Sequence, residues 1–322
     1  MQIEAKRSDR LDKTLQEELK EPRNQIENLI KNIGVEVNGR LIKKSGFKVK
    51  SGDLIIVNLP TLKKSEKKEI DFDIEIIYED EDIMVINKPP FVTVHPAPSV
   101  KEATVVDWLK HKGVSLSTLS GEERHGIVHR IDKETSGALV IAKNNEAHFF
   151  LSRQLEDKSM GRYYLSICDL PLKEDIVIEQ PVGRNPKNRL KMGIVQNGRY
   201  AKSAFCKVLL SKDEKKELIA AKLFTGRTHQ IRVHLSFLSR HILGDHLYGF
   251  KSKNSKISRV MLHAYIIYFI HPKTKEMMVF KAPLFQDFEE TVDKYFETET
   301  FYEKIDPDTI ISLFDFCCHR VR

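Results

Sequence analysis

Cysteine is scarce in this 322-residue sequence. Cys168, Cys206, Cys317 and Cys318 form neither a CxxC pair nor a dense framework. That pattern excludes a disulfide-stapled extracellular domain and predicts a reduced, cytoplasmic protein without a structural zinc. Long apolar runs are also missing. One of the longest, Ala264–Ile270, falls far short of the roughly 20 residues a membrane helix needs, so no membrane partner is expected. No apolar stretch follows the charges of Met1–Arg7, and no secretory signal is expected. Neither a G-x-G-x-x-G fingerprint nor a phosphate-binding P-loop occurs, which argues against a dinucleotide or triphosphate site. What remains is a globular composition, 41% apolar and 31% charged, incompatible with dominant disorder.

Lysine and arginine number 53 against 46 acidic residues, a net of +7, and the excess is unevenly placed. Residues 1–70 hold 16 basic and 11 acidic side chains, and the other 252 hold 37 and 35. A small basic head on a nearly neutral body suits a polyanion partner, although a merely solvated surface fits the charge count equally.

The head reads as two helices followed by short strands. Leu11, Leu15 and Leu19 recur at helical spacing. A second stripe after Pro22 comprises Ile26, Leu29, Ile30 and Ile33, with Gly34 as its stop. Val35–Val37 runs into Asn38-Gly39, a strong hairpin signal. Gly52-Asp53 turns the chain into the strand Leu54–Val57, and the unit ends at Pro60. The lysine-rich stretch 61–70 reads as a linker to a body at 71–322. This order, with Arg10-Leu11-Asp12 and Gly34–Gly39, resembles the S4 domain, a small RNA-binding module. The resemblance implies RNA binding by the head, with Arg23 as a phosphate contact.

From Asp71 strands and helices intermix. Strands are predicted at 74–78, 83–87, 126–131, 138–142, 163–167, 220–224 and 277–280. Helices are predicted after an Asn144 or Asn145 cap and from Thr228 to about Leu238. Strands do not alternate regularly with long helices, so an α+β body around a mixed, mostly antiparallel sheet is expected.

Two stretches carry chemistry. In His129–Gly137, Asp132 opens a polar loop after an apolar strand, where a carboxylate meets a cleft, or simply makes a turn. In Phe224–Leu235, Arg227 precedes a helix that Thr228 can cap; it either awaits an anion or points into water. Twelve histidines raise the question of a metal site. His229 and His234 lie about 140° apart around a helix, and His125 and His129 share a strand-like segment, so no metal site is expected.

Together these stretches resemble the H-R-[LI]-D-x-x-T-S-G and T-G-R-x-H-Q-[IL]-R-x-H blocks of pseudouridine synthases of the RluA/RluD type. Asn87–Pro96, His241–Gly249 and Met261–Ala264 resemble the same family's remaining motifs, in its order, over residues 71–290. Phe91 departs from the pattern, standing where the family usually has a small residue such as Gly. The resemblance implies an α+β synthase fold with an N-terminal S4 domain. It implies isomerisation of uridine to pseudouridine in structured RNA, foremost large-subunit ribosomal RNA, without a cofactor, by a monomer. A synthase acting on transfer RNA, a decayed RNA-binding body and a nucleotide glycosidase are the competing readings.

By position, Asp132 matches the catalytic carboxylate, Arg227 its guanidinium partner and Tyr164 the ring that stacks on the extruded uracil. Tyr163 is the competing tyrosine, since strand alternation turns only one of the two inward. Leu262, Arg130, His129 and Thr135 fall on the substrate pocket. Lys88, His95, Arg184, Arg189, Lys191, His229 and Arg232 are candidate RNA contacts, and four cations crowd the stretch Arg184–Lys191.

Overall fold

The computed structural model describes residues 2–19, 23–57, 68–97, 99–119, 124–250 and 257–318. The chain divides into two compact units, Met1–Lys67 and Lys68–Arg322. The first comprises β1 (Gln2–Glu4), β2 (Asp9–Arg10), α1 (Leu11–Leu19), α2 (Arg23–Asn32), β3 (Val35–Val37), β4 (Arg40–Ile42), β5 (Lys48–Val49) and β6 (Leu54–Ile56). Strands pair antiparallel in the order β1-β6-β3-β4, with β2 on β5. The leucine and isoleucine stripes meet in one core, where Leu11, Leu15, Ile26 and Ile30 are buried with Val35 and Ile55. Asn38 and Gly39 both take positive φ, 50° and 79°, as a two-residue hairpin between right-twisted strands requires. Arg10 clamps the buried Asp12 through two hydrogen bonds of 2.9 and 2.8 Å, so this motif pair stabilises the entry of α1. Residues 61–67 of the expected linker lie outside the described residues. Lys68 and Ile70 already belong to the body: Lys68 donates to the Glu102 carbonyl at 2.8 Å and Ile70 packs on the main core.

The body runs β7 (Glu75–Glu79), β8 (Ile83–Lys88), α3 (Val105–His111), β9 (Ser136–Ala142), α4 (Asn145–Asp157), β10 (Gly161–Cys168), β11 (Ile176–Glu179), β12 (Val182–Arg184), β13 (Met192–Ile194), β14 (Lys202–Leu210), β15 (Glu217–Leu223), α5 (Gln230–Phe237), β16 (Leu262–Ile270), β17 (Met277–Lys281), α6 (Gln286–Tyr295), α7 (Thr298–Lys304), α8 (Pro307–Ser312) and α9 (Asp315–Cys318). The central sheet follows the order β11-β14-β15-β10-β16-β9-β8-β7, with β17 also on β16. Every named pair is antiparallel except β9 with β16, so the sheet is mixed and mostly antiparallel, as expected. Of the two candidate caps it is Asn144 that caps α4, accepting from the Ala147 amide at 2.9 Å.

Two local expectations fail. Residues 126–131 form no strand; they make a single bridge, Ile127 to Ile141, and continue as loop. The helix predicted from Thr228 begins at Gln230, because His229 takes a left-handed conformation (φ 56°) and no side chain caps it.

Candidate active site

The one parallel pairing builds the site. His263 registers with Ser136 and Ala264 with Gly137, which draws the loop after Asp132 against the start of β16. Gly137 sits at φ 113°, and a Cβ there would meet the Ala264 carbonyl oxygen at 2.2 Å. Only glycine permits this approach. The Ser136 hydroxyl lies 2.9 Å from His263 Nδ1, fastening the two elements inside the sheet. Asp132 therefore opens onto a cleft of about 520 Å³ with Leu262, Thr135 and Ile131 on its wall. From β10 come Tyr164 and Arg162, two residues apart and on one face. The β10–β16 register shifts between Tyr163 and Tyr164, with Tyr265 of β16 as the extra residue, so alternation along β10 is unbroken and turns only the second tyrosine to the cleft. Tyr163 instead packs on Tyr268 and Phe314, with ring centroids at 5.8 and 5.2 Å.

The guanidinium against Asp132 is that of Arg232, not Arg227. Arg232 Nη1 lies 3.3 Å from Asp132 Oδ2, while its Nε and Nη2 fork onto Asp245 at 2.7 and 2.8 Å. Burial opposes charge on Arg232, but the hydrogen bonds and charge of Asp245, then Asp132, outweigh it and raise its pKa. Arg227 does line the cleft, yet its Nε donates to the Tyr200 carbonyl at 2.9 Å. The cause is geometric. Arg227 precedes the left-handed turn at His229, whereas Arg232 sits in the first turn of α5, facing the carboxylates.

His229 is the second group near Asp132, its Nε2 3.9 Å from Oδ2. Burial is the main force that lowers the His229 pKa, against the pull of Asp132, so the ring is neutral. The Met192 amide donates to the Tyr248 hydroxyl at 2.8 Å, and that hydroxyl lies 2.8 Å from His229 Nδ1. When Tyr248 donates onward to Nδ1, the imidazole proton resides on Nε2 and faces the cleft. Burial pushes the Tyr164 phenol pKa upward; Arg162 opposes the shift and Asp132 adds to it.

Several expected contacts prove structural. His129 turns away from the cleft: its Nε2 accepts from the Val140 amide at 3.1 Å, and burial, then Arg162, depresses its pKa well below the usual value. Lys88 is fully buried, donating to the carbonyls of Pro89, Val92 and Lys133 at 2.6, 2.9 and 3.1 Å. It fastens the loop beside Asp132 instead of meeting RNA. His95 is buried too, and burial, then Arg130 and Arg124, lowers its pKa to about 4. Phe91 adopts φ 66°, so the loop keeps the left-handed turn that suits glycine while exposing an aromatic ring. Arg130 stands exposed on the cleft rim. Arg184, Arg189 and Lys191 belong to the β12–β13 hairpin and do not line the cleft; Arg184 donates to the Arg189 carbonyl at 2.9 Å. The side chain of Arg23 lies outside the described residues.

Sequence reasoning missed Arg162, Asp245 and Tyr248. The first was readable, because a strand residue two before Tyr164 shares its face. The other two reach the site only through tertiary contacts. Among the described residues one group has metal-ligand proximity: Asp80 and Asp82 of the β7–β8 turn with His271 just after β16. Asp80 is already engaged there by the amides of Asp82 and Ile83 at 2.8 Å each and by the Tyr78 hydroxyl at 2.7 Å.

Residues 82–237 match the family model of RNA pseudouridylate synthases, and residues 9–55 match the S4 domain. An uncharacterized RNA pseudouridine synthase of Helicobacter pylori is 49% identical over 313 residues, 95% of each chain. The chain belongs to the RNA pseudouridine synthase family. A ribosomal large subunit pseudouridine synthase D of Zymomonas mobilis is 37% identical over 274 residues, covering 82% of this synthase and 86% of that protein. Human RNA pseudouridylate synthase domain containing 1, with 23% identity, shares the fold at a TM-score of 0.54 over 69% of this chain and 94% of its own. This synthase is thus an isomerase that modifies RNA and carries an S4 RNA-binding domain at its N-terminal end. No helix among its described residues is long and apolar enough to cross a membrane.

Proposed function

We propose that this synthase converts uridines of large-subunit ribosomal RNA to pseudouridine, with Asp132 as the catalytic carboxylate. The observation that carries the catalytic assignment is the Asp132–Arg232–Asp245 chain at the floor of the cleft. The isomerisation breaks the N1–C1′ bond of uridine and forms a C5–C1′ bond, while one proton leaves C5 and one is gained at N1. No oxidation state changes, so one carboxylate beside the sugar and ring, as nucleophile or as base, meets the demand. That group must be ionised. A guanidinium held in a buried fork by Asp245 cannot give up its proton, and its remaining N–H stabilises the Asp132 anion. Side-chain exposure of Asp132 is 18%, enough to reach a ligand and low enough for the Arg232 charge to act through little water.

The target base must leave its stack, because the glycosidic bond is shielded within one. Tyr164 offers a ring for the extruded uracil and Leu262 an apolar wall. The Nε2–H of His229 supplies a donor within the same cleft. Arg130 and Arg227, at its rim, suit the flanking phosphates. The ribosomal target is supported by the relatives named for that role and by the S4 head, and we propose that the enzyme works as a monomer. Mapping pseudouridines in ribosomal RNA from cells with and without the gene tests the target. Loss of specific large-subunit sites is the expected result; an unchanged ribosomal map would overturn the target assignment.

A further inference from the structure

A second concavity lies beside the catalytic cleft, between the β12–β13 hairpin and α5. Its walls include Met192 and Lys191 from the hairpin side and Val233 and Phe237 from the helix, and Tyr248 closes one end. It is an open groove of about 290 Å³, close to the roughly 300 Å³ lower limit of small-ligand sites. Its base is rigid, because Val182, Ala201, Val233 and Tyr248 form a small buried core beneath the hairpin.

We infer that this groove binds an unpaired nucleotide of the RNA substrate, neighbouring the extruded uridine, with its base stacked on Phe237. The inference rests on the reading that the enzyme extrudes its target base. Four observations favour a nucleotide. Phe237, at the end of α5, is 55% exposed, an aromatic ring left largely open to a ligand. Among the described residues no carboxylate lines the groove. The flanking sequence is equally one-sided: between Glu179 and Asp213 there are eight lysines and arginines and no acidic residue. An apolar protein partner does not require that bias, whereas a phosphodiester does. Lastly, the groove is linked to the catalytic site through Tyr248. Tyr248 forms its end wall and lies 2.8 Å through its hydroxyl from His229 Nδ1, while its ring carries the Arg232 guanidinium at 5.0 Å. A base against Tyr248 therefore touches the residue that orients both His229 and Arg232. Occupancy of the groove is thereby linked to the catalytic constellation, which favours uridines with an unpaired neighbour.

The test is a fluorescence anisotropy titration of the full-length protein with a labelled dodecauridylate. This single-stranded probe carries no ribosomal sequence, so failure of the ribosomal assignment in the cellular map would leave the outcome here unaffected. Stacking of one base on an aromatic ring predicts that Phe237→Ala raises Kd about 5- to 150-fold. Phe237→Trp restores binding, and Phe237→Leu, apolar but without a π-face, does not. Phe149→Ala removes an equally exposed ring on α4 and leaves Kd unchanged. Lys191→Ala flattens the dependence of log affinity on log salt by about 0.7. Phe237 is exposed, so its truncation leaves the core intact. The proposal is overturned if Phe237→Ala binds the probe as the wild type does, which would reassign the groove to a protein partner. It is also overturned if Phe237→Leu binds as well as Phe237→Trp. A wild-type Kd weaker than about 100 μM, the weak end of non-specific nucleic-acid binding, overturns it too.

Discussion

Arg232→Lys separates the two arginines of the T-G-R-x-H-Q-I-R block. In the native fold one guanidinium makes three contacts, two to Asp245 at 2.7 and 2.8 Å and one to Asp132 at 3.3 Å. An ammonium is a single point donor on a flexible stem and cannot serve both carboxylates. It settles on Asp245, whose side chain is almost wholly buried and costs most to leave unpaired. Asp132 then loses one charge-assisted hydrogen bond, worth about 1.5–3 kcal/mol. Because the cleft is partly open, the lower half of that range applies, and kcat falls about 10- to 45-fold. KM moves little, since the bond acts on the carboxylate and not on bound RNA. Stability changes by less than about 2 kcal/mol in urea unfolding, because Asp245 keeps a cation. Arg232→Met, by contrast, strands Asp245 and costs about 3–5 kcal/mol. The assay is single-turnover pseudouridine formation on an in vitro ribosomal transcript, with Arg227→Lys beside it. Arg227→Lys is expected to alter KM more than kcat, since its Nε contact is a backbone carbonyl. A larger kcat loss for Arg227→Lys than for Arg232→Lys would refute the reasoning.

Asp132→Asn keeps the shape and removes the charge, so turnover should vanish while filter binding of RNA persists; measurable product from a purified preparation would end the case for Asp132. Tyr164→Phe retains the ring and should hold substrate normally, whereas Tyr164→Ala should not; if Tyr163→Ala proves selectively damaging to KM without loss of stability, the assignment of the inward tyrosine is wrong. A fragment beginning at Lys68 should remain folded on its own core and flatten the salt dependence of RNA affinity by about 0.7 per lost phosphate contact; an unchanged slope would show that the head does not grip RNA electrostatically. His95, His129 and His263 are buried neutral, with pKa values lowered to about 4 for His95 and about 3 for His263. The unfolded chain takes up these protons first, near pH 6.5, so their contribution to stability is complete above that pH and is lost progressively as pH falls toward 4. The urea midpoint should therefore drop between about pH 7 and 5, and a flat midpoint over that range would contradict the buried-neutral assignment.

Local pattern was enough wherever a short-range rule governs the backbone. The leucine stripe of α1, the Asn38-Gly39 hairpin and the Asn144 cap each depend on residues within a few positions, and each formed as read. The segment 126–131 looked like a strand because Ile127, Val128 and Ile131 are β-branched. It forms no ladder: β16 pairs with β9 only at Ser136 and Gly137, and beyond them the segment touches β9 in one isolated bridge, Ile127 to Ile141, before turning away as loop. Thr228 looked like a cap, but the backbone turns left-handed at His229 and the helix begins after it.

By itself the sequence determined the chemistry available: an Asp-bearing loop ended by a glycine, an arginine-rich helix start, two adjacent tyrosines and a basic head of S4 character. Those are properties of residue type and spacing, which survive without coordinates. Only the tertiary structure decided which arginine meets Asp132, that His129 and Lys88 brace the site from behind, and that Asp245 and Tyr248 belong to it. Each of those decisions depends on a contact between elements far apart in the chain, such as the 100 residues between Asp132 and Arg232. Such pairings are chosen by the register of β9 on β16 and by the seat of α5 on the sheet, where close packing leaves one arrangement free of clashes.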